Sequence, residues 1–306
     1  MANPITTSLP KYVEQHILPL ISKSVLGSKS ASLFNLLTGV KGDTALNLLA
    51  TDVTLQSAKT CGWNADGTTT LSQRIVKPAY LKVNHNFCDK QLLNTWANYE
   101  VKVAAGQKTL PFEEDFVNGI VEQVKEQIEK MIYQGAKNQE DEFEGLISIL
   151  DSDNTVIKVN KTAGTSAYEA IKAVYASMPE EVVSKDDAVI LVGAGIFRQF
   201  IQELVSANLY HFEPSDAEGE YKLPGTNLRV ISVNGLNGVA GNDVIIGARL
   251  SNLFYATDLQ GDEEKLSYGT ARTTESSVSL SNLSQAFSMP TATRLCLERL
   301  RKRNIA

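Results

Sequence analysis

The stretch from Leu110 to Gly135, LPFEEDFVNGIVEQVKEQIEKMIYQG, constrains this chain most. Phe116, Ile120, Val124 and Ile128 recur every four residues, with Val117, Val121, Met131 and Ile132 beside them. That spacing predicts one amphipathic helix with a continuous apolar stripe. Glu113, Glu114 and Asp115 fall in the first turns, where the helix dipole favours negative charge. Glu126 and Lys130 form an i,i+4 pair of favourable orientation, and Gly135 supplies a stop. Such a helix is roughly 35 Å long and too polar to span a membrane. It is either an ordinary surface helix of an enzyme or a spine on which other elements are laid.

Around it, 306 residues suffice for one large domain or two. The net charge of −6 argues against a surface built to grip nucleic acid throughout. Basic residues do gather near the end, at Arg294, Arg299, Arg301, Lys302 and Arg303, and read as a solvated helix end or tail. Cys61, Cys88 and Cys296 are widely spaced and odd in number, so neither zinc nor a disulfide framework is expected, and folding in a reducing compartment is. The first residues, MANPITTSLPKYVEQHILPLI, lack the pattern of a signal peptide, and no apolar run is long enough for a membrane span.

Taken in order, residues 1–44 read as an arm. Pro4, Pro10 and Pro19 interrupt regular structure, and Ile17, Leu20, Ile21 and Ser24 fit a short helix that buries little by itself. The arm lies on its own body, lies on a neighbouring subunit or frays. Residues 50–88 read as two β-rich runs around the turn dipeptide Asp66-Gly67, with Leu81, Val83, His85 and Phe87 alternating against polar residues. Pro78 breaks the second run. So many Thr, Ser and Gln residues suit an extended loop that finds its partners elsewhere. Asp89 caps a short helix carrying Leu92, Leu93 and Trp96. After the long helix, LISIL is open to a strand or a turn back.

Residues 150–240 alternate strand and helix. Thr155–Val159, AVILVG at 188–193 and LRVISV at 228–233 are strands. Ser166 and Glu169 make a capping box for a helix holding Ala170, Ile171, Val174 and Tyr175, ended by Pro179. Ile196 to Val205 is a second helix with Phe197, Phe200, Ile201 and Leu204 on one side. The order implies a small mixed sheet carrying helices. From Asn242 the chain returns to strands, and the Ser/Thr-rich SYGTARTTESSVSLSNLSQAFSM reads as an exposed strand region.

The search for chemistry returns no catalytic, cofactor-binding or metal-binding residue. Gly193-Ala194-Gly195 lies between a strand and a helix, but Arg198 stands where a dinucleotide fingerprint needs its third glycine, so tight packing is the reading. Asp151-Ser-Asp153-Asn-Thr155 opens like a calcium loop but has Val156 at the glycine position and Thr162 at the glutamate position. His16, His85 and His211 have no ligand spacing, and His85 reads as a core or interface residue.

The order of these parts, with the stretches RIVKPAYLKVNHNFCDKQLL, FEEDFVNGIVEQVKEQIEKMIYQG, GTSAYEAIKAVYASMPEEVVSKDDAVILVGAGIFRQFIQEL, LPGTNLRVISVNGLNG and NDVIIGARLSNLFYATDLQGDEEKL, resembles the major capsid proteins of tailed double-stranded DNA bacteriophages. The resemblance covers most of residues 74–266 and implies the Hong Kong 97-type fold, an α+β architecture. It implies an N-terminal arm (1–44), an extended loop (45–84), a peripheral domain with the spine helix (85–149), an axial domain (150–237) and returning peripheral strands (238–306). It implies a non-enzymatic shell subunit without cofactor or metal, assembling with itself into hexamers and pentamers around packaged DNA. A portal, decoration proteins and a separate scaffolding protein are the implied partners, contact with DNA is weak, and no membrane is involved. The implied location is the virion, after assembly in the host bacterial cytoplasm. The other readings are an encapsulin-type cellular compartment and, less favoured, a nucleotide-binding enzyme.

Overall fold

The computed structural model describes residues 27–40, 42–52, 67–88, 112–135, 143–160, 165–209, 219–239, 242–258, 265–270, 275–288 and 296–301, together with Tyr12, Asn98, Val101, Ala104 and Ala105. The described elements open with α1 (Lys29–Leu33), β1 (Asn35–Thr38), β2 (Thr44–Asp52), β3 (Thr68–Val76) and β4 (Ala79–Cys88). The long helix α2 (Phe112–Gln134) is followed by α3 (Leu146–Ser152) and β5 (Ile157–Asn160). Next come α4 (Ala167–Ser177), α5 (Glu180–Val183), β6 (Ala188–Val192), α6 (Ala194–Ser206), β7 (Glu220–Lys222) and β8 (Arg229–Ser232). The remainder is β9 (Asn242–Arg249), β10 (Phe254–Thr257), β11 (Lys265–Thr270), β12 (Glu275–Ser288) and β13 (Cys296–Arg301).

Helix α2 is the expected one, and its stripe is its core face. Val117, Val121, Val124, Ile128 and Ile132 are buried, while Phe116, Ile120 and Met131 flank them half-buried. Each buried side chain of this kind contributes about 1.5–3 kcal/mol of transfer free energy. What they pack on is a six-stranded sheet of order β5-β13-β9-β6-β8-β7. Alternation along its strands serves two layers. Val189 and Leu191 of β6, Val244 and Ile246 of β9 and Ile231 of β8 join the core of α2 and α3. Ala188, Ile190, Val192, Ile245 and Val230 point the other way, into the core of α4 and α6 with Ala170, Ile171, Val174, Phe200 and Leu204. A sheet covered on both faces explains why AVILV is apolar throughout and buried at every position. The spine thus packs on strands from 242 onward, as its stripe requires.

The helices of the second layer follow their capping signals. Ser166 accepts from the Glu169 amide at 3.2 Å, and the chain leaves α4 at Met178, before Pro179. At LISIL the chain turns back, and does so as helix α3, because Leu146, Ile149 and Leu150 stand at helical spacing between the caps Gly145 and Asp153. The return depends on two glycines. The Gly145 amide donates to the Gly135 carbonyl at 3.0 Å, and a Cβ on either would run into the backbone around the other.

Other expectations need correction. The Ser-rich β12 is the hub of a five-stranded sheet, a place its composition does not announce, pairing with β4 along one edge and with β11 and β10 along the other. Its ladder needs only backbone groups, so composition conceals its place. The basic C-terminal stretch is not a helix end: β13 lies between β5 and β9, so Arg299 and Arg301 are strand residues. Strand β9, the first of the returning strands, neighbours β6 within the six-stranded sheet. The first ribbon strand begins at Thr44, earlier than the β-rich run at 50 implies. Lys77 and Pro78 separate β3 from β4, as proline demands. The Asp66-Gly67 turn, the helix of Leu92, Leu93 and Trp96, the helix of Ile17 to Ser24, and the side chains of His16, His85, His211 and the cysteines lie outside the described residues.

Candidate assembly surfaces

The root of the arm is seated on the spine. Ser28 caps α1 by accepting from the Ala31 amide at 3.2 Å. The adjacent Ser30 gives both its donors to Glu129 of α2: its amide to Oε2 at 3.1 Å and its hydroxyl to Oε1 at 2.6 Å. Ser30 Oγ also lies 2.7 Å from the Tyr133 hydroxyl. Ala31 and Phe34 enter the spine core, and Phe34 meets Tyr133 edge-on at 6.4 Å. Burial pushes the Tyr133 phenol well up, the Glu129 charge adds to it, and the Ser30 bond opposes both. Glu129 is itself only 5% exposed, which a carboxylate tolerates when its lone pairs are satisfied. Tyr12, further back in the arm, is half-buried on the same core, and burial with the charge of Glu114 raises its phenol.

Beyond α1 the chain leaves as a two-stranded ribbon, β2 against β3, in the register Thr44↔Val76 to Asp52↔Thr68. Its base is fastened by a small core of Val40, Val76 and Ala256, with Leu37 and Leu46 beside it. Arg74 reaches Asp153, after α3, at 3.7 Å. Past that base one face carries Leu71 and Ile75, 64% and 59% exposed, on either side of the Gln73–Asn47 hydrogen bond of 2.9 Å. A lone two-stranded ribbon is marginal in water, and exposed apolar residues in a row mark a surface that finds a partner.

The motifs that suggest chemistry resolve into structure. Gly193 caps α6, and a Cβ there would stand 3.1 Å from both Asn237 Oδ1 and the Leu236 carbonyl. Asn237 Oδ1 takes the Ala194 amide at 2.7 Å, so a side chain of the same chain occupies the helix start where a phosphate would sit. Asp153 takes the Thr155 amide and hydroxyl at 2.9 and 2.6 Å, and those bonds lower its carboxyl; the DSDNT segment is an Asx turn. Asp187 receives three guanidinium contacts from Arg249, the shortest 2.9 Å. Burial works against ionisation there, yet the bonds from Arg249 and Ser251 prevail and hold the carboxyl at about 2. Among the described residues no group of three His, Cys, Asp or Glu is placed to hold a metal ion, and no helix is long and apolar enough to cross a membrane.

Glu129 escapes a reading by composition, since it sits among Glu126, Lys130 and other charged residues. The available signal is positional: it follows Ile128 directly and lies one turn before Tyr133, inside the buried arc of the stripe.

Layered sheet, spine helix, seated arm and two-stranded ribbon make up a mixed helix and strand fold. Solved structures align over nearly the whole chain. A satellite phage P4 procapsid that includes the size determination (Sid) protein matches with TM-score 0.63 and 11% identity, over 100% of both chains. A Gordonia phage Cozz structure matches with TM-score 0.56 and 12% identity, over 90% of this chain and 87% of that one. The SrpI encapsulin complex of Synechococcus elongatus PCC 7942 matches with TM-score 0.54 and 12% identity, over 90% of this chain and 89% of that one. No protein-family model and no curated protein sequence matches. The chain has the fold of the phage major capsid proteins, which an encapsulin shell shares.

Proposed function

We propose that this chain is a phage major capsid protein, whose copies form hexamers and pentamers of an icosahedral shell around packaged DNA. The observation that carries the reading is the alignment with the phage P4 procapsid structure over 100% of both chains, supported by that with Gordonia phage Cozz over 90% of this chain. In this reading residues 1–44 are the arm, 45–84 the extended loop, 85–149 and 238–306 the peripheral domain and 150–237 the axial domain. The β2–β3 ribbon lies across a neighbouring subunit, which covers Leu71 and Ile75. Shell formation then uses no catalytic residue and no cofactor. The acidic balance suits a wall that touches DNA weakly and lets it be packed and released. Assembly takes place in the host bacterial cytoplasm, and the product is part of the virion. The P4 particle named above contains a size determination protein; we assign this chain a separate scaffolding partner, a portal and decoration proteins.

The encapsulin match favours a second reading, a cellular compartment. One experiment addresses both: the full chain is produced in bacteria, alone and with a candidate scaffolding protein, and imaged by negative stain. Rings, tubes or shells support a shell subunit. Genome-length DNA protected from nuclease in native particles supports the phage reading, and an encapsulated enzyme supports the compartment. A monomer under every condition contradicts both.

A further inference from the structure

The last turns of the spine hold two partners at once. On one side Glu129 and Tyr133 take the root of the arm. Ser30 gives its amide and its hydroxyl to the Glu129 carboxylate, and its Oγ lies 2.7 Å from the Tyr133 hydroxyl. With the Ser30 proton committed to Glu129, Tyr133 is the donor in that contact. On the other side the same two residues receive the loop at 234–237. A Cβ on Gly235 would run into the Glu129 carbonyl and the Tyr133 ring, so loop and spine meet there with no side chain between them. Gln134, the next residue, donates to the carbonyls of Gly235 and Asn237 at 2.7 and 2.9 Å. Asn237 Oδ1 in turn receives the Ala194 amide, the first of α6, at 2.7 Å. Each step from Ser30 to Ala194 is a direct contact or a peptide bond.

We infer that these contacts form a relay, through which the seating of α1 on the spine holds the start of α6 on the opposite face of the sheet. The moving part is the Tyr133 side chain. It is fully buried, with Phe34 edge-on at 6.4 Å on the arm side and the Gly235 backbone on the other. While Ser30 accepts from its hydroxyl, the ring is fixed and the loop closes on it. When α1 lifts, the hydroxyl loses that acceptor and Phe34 leaves the ring, so the ring shifts toward a new partner. Close-packed interiors pass on such a shift, because the neighbour has no void to absorb it. Gly235 moves with the ring, Gln134 loses its hold on the loop, and the Asn237 cap on α6 opens. The relay belongs to the single chain and stands whether or not the chain forms shells. In a shell it lets whatever binds the arm alter the far layer of the same subunit, a use that rests on the proposed function.

Amide hydrogen exchange on free subunits of the full chain tests it, read at residues 28–34 and 194–197. Ser30→Ala removes one oxygen and leaves Ala31 and Phe34 in place. It should speed exchange about fivefold at 28–34 and about threefold at 194–197. Tyr133→Phe keeps the ring against Gly235 but ends the bond to Ser30, and should do the same. Ser166→Ala removes the cap of α4, whose buried face shares a core with that of α6, and should leave 194–197 unchanged. In an Asn237→Ala background the relay is cut before α6, so adding Ser30→Ala should no longer change 194–197. Unchanged exchange at 194–197 while 28–34 opens overturns the inference. An equal rise in the Asn237→Ala background, or the same rise from Ser166→Ala, also overturns it, since either means general loosening.

Discussion

The side chain of Gln134, the last residue of the spine helix, donates to the backbone carbonyl of Asn237 at 2.9 Å, while Asn237 turns its own Oδ1 to the first amide of α6. One asparagine therefore joins the end of the spine to the start of a helix on the far side of the sheet. Gln134 also donates to the Gly235 carbonyl at 2.7 Å. Asn237→Ala should lose the cap and loosen this loop, at about 1–2 kcal/mol of stability in urea unfolding. Gln134→Ala, which leaves the cap in place, should cost less.

Gly235 fits where no other residue does. A Cβ there would run into the Glu129 carbonyl and the Tyr133 ring. Gly235→Ala should therefore push the loop off the spine and abolish soluble expression, whereas Gly225→Ala, with open space around it but a φ of +78°, should fold with a modest penalty. Comparing soluble yield of the two separates close approach from backbone strain.

Val124→Asp places a charge in the spine core and should leave no folded protein, since an unpaired buried carboxylate costs several kcal/mol. Ile120 belongs to the same stripe but not to its buried arc. It is half-buried at the rim of the stripe, so Ile120→Asp should give a folded but destabilised chain by circular dichroism.

The Asp187–Arg249 pair makes stability depend on acid. The carboxyl is held near 2 when folded, below its ordinary value of 3.8, so its contribution is complete above pH 4 and fades as pH falls toward 2. Asp187→Asn should cost about 1 kcal/mol at pH 7, allowing for partial solvent screening, and the difference from the natural chain should shrink on acidification. A difference constant from pH 7 to pH 2 would show that the pair adds nothing through charge.

What the sequence reveals here follows from how each part is stabilised. The spine, β6 and α6 bury one face or all of it, so their apolar spacing betrays them. The Ser166 cap is local and equally legible. The place of β12 is set by backbone ladders to β4, β10 and β11, and residues such as Ser277 and Ser279 carry no trace of a central position. LISIL is too short for periodicity to separate helix from strand. The seat of the arm depends on a pairing 99 residues apart, Ser30 with Glu129, in a region that reads as charged helix surface. The ribbon is legible as polar β structure, but its exposed Leu71–Ile75 face becomes apparent only once its register with β2 is known.

Under the proposed function the ribbon face is covered by another copy of the chain. The direct measurement is electron microscopy of the purified Leu71→Lys, Ile75→Lys double variant beside the natural chain, under conditions in which the natural chain assembles. Both residues are solvent-exposed in the single chain, so the variant should unfold at an unchanged temperature and remain as free subunits or isolated rings, while the natural chain closes into shells. Shells of normal size and yield from the double variant would show that the ribbon face is not an assembly surface.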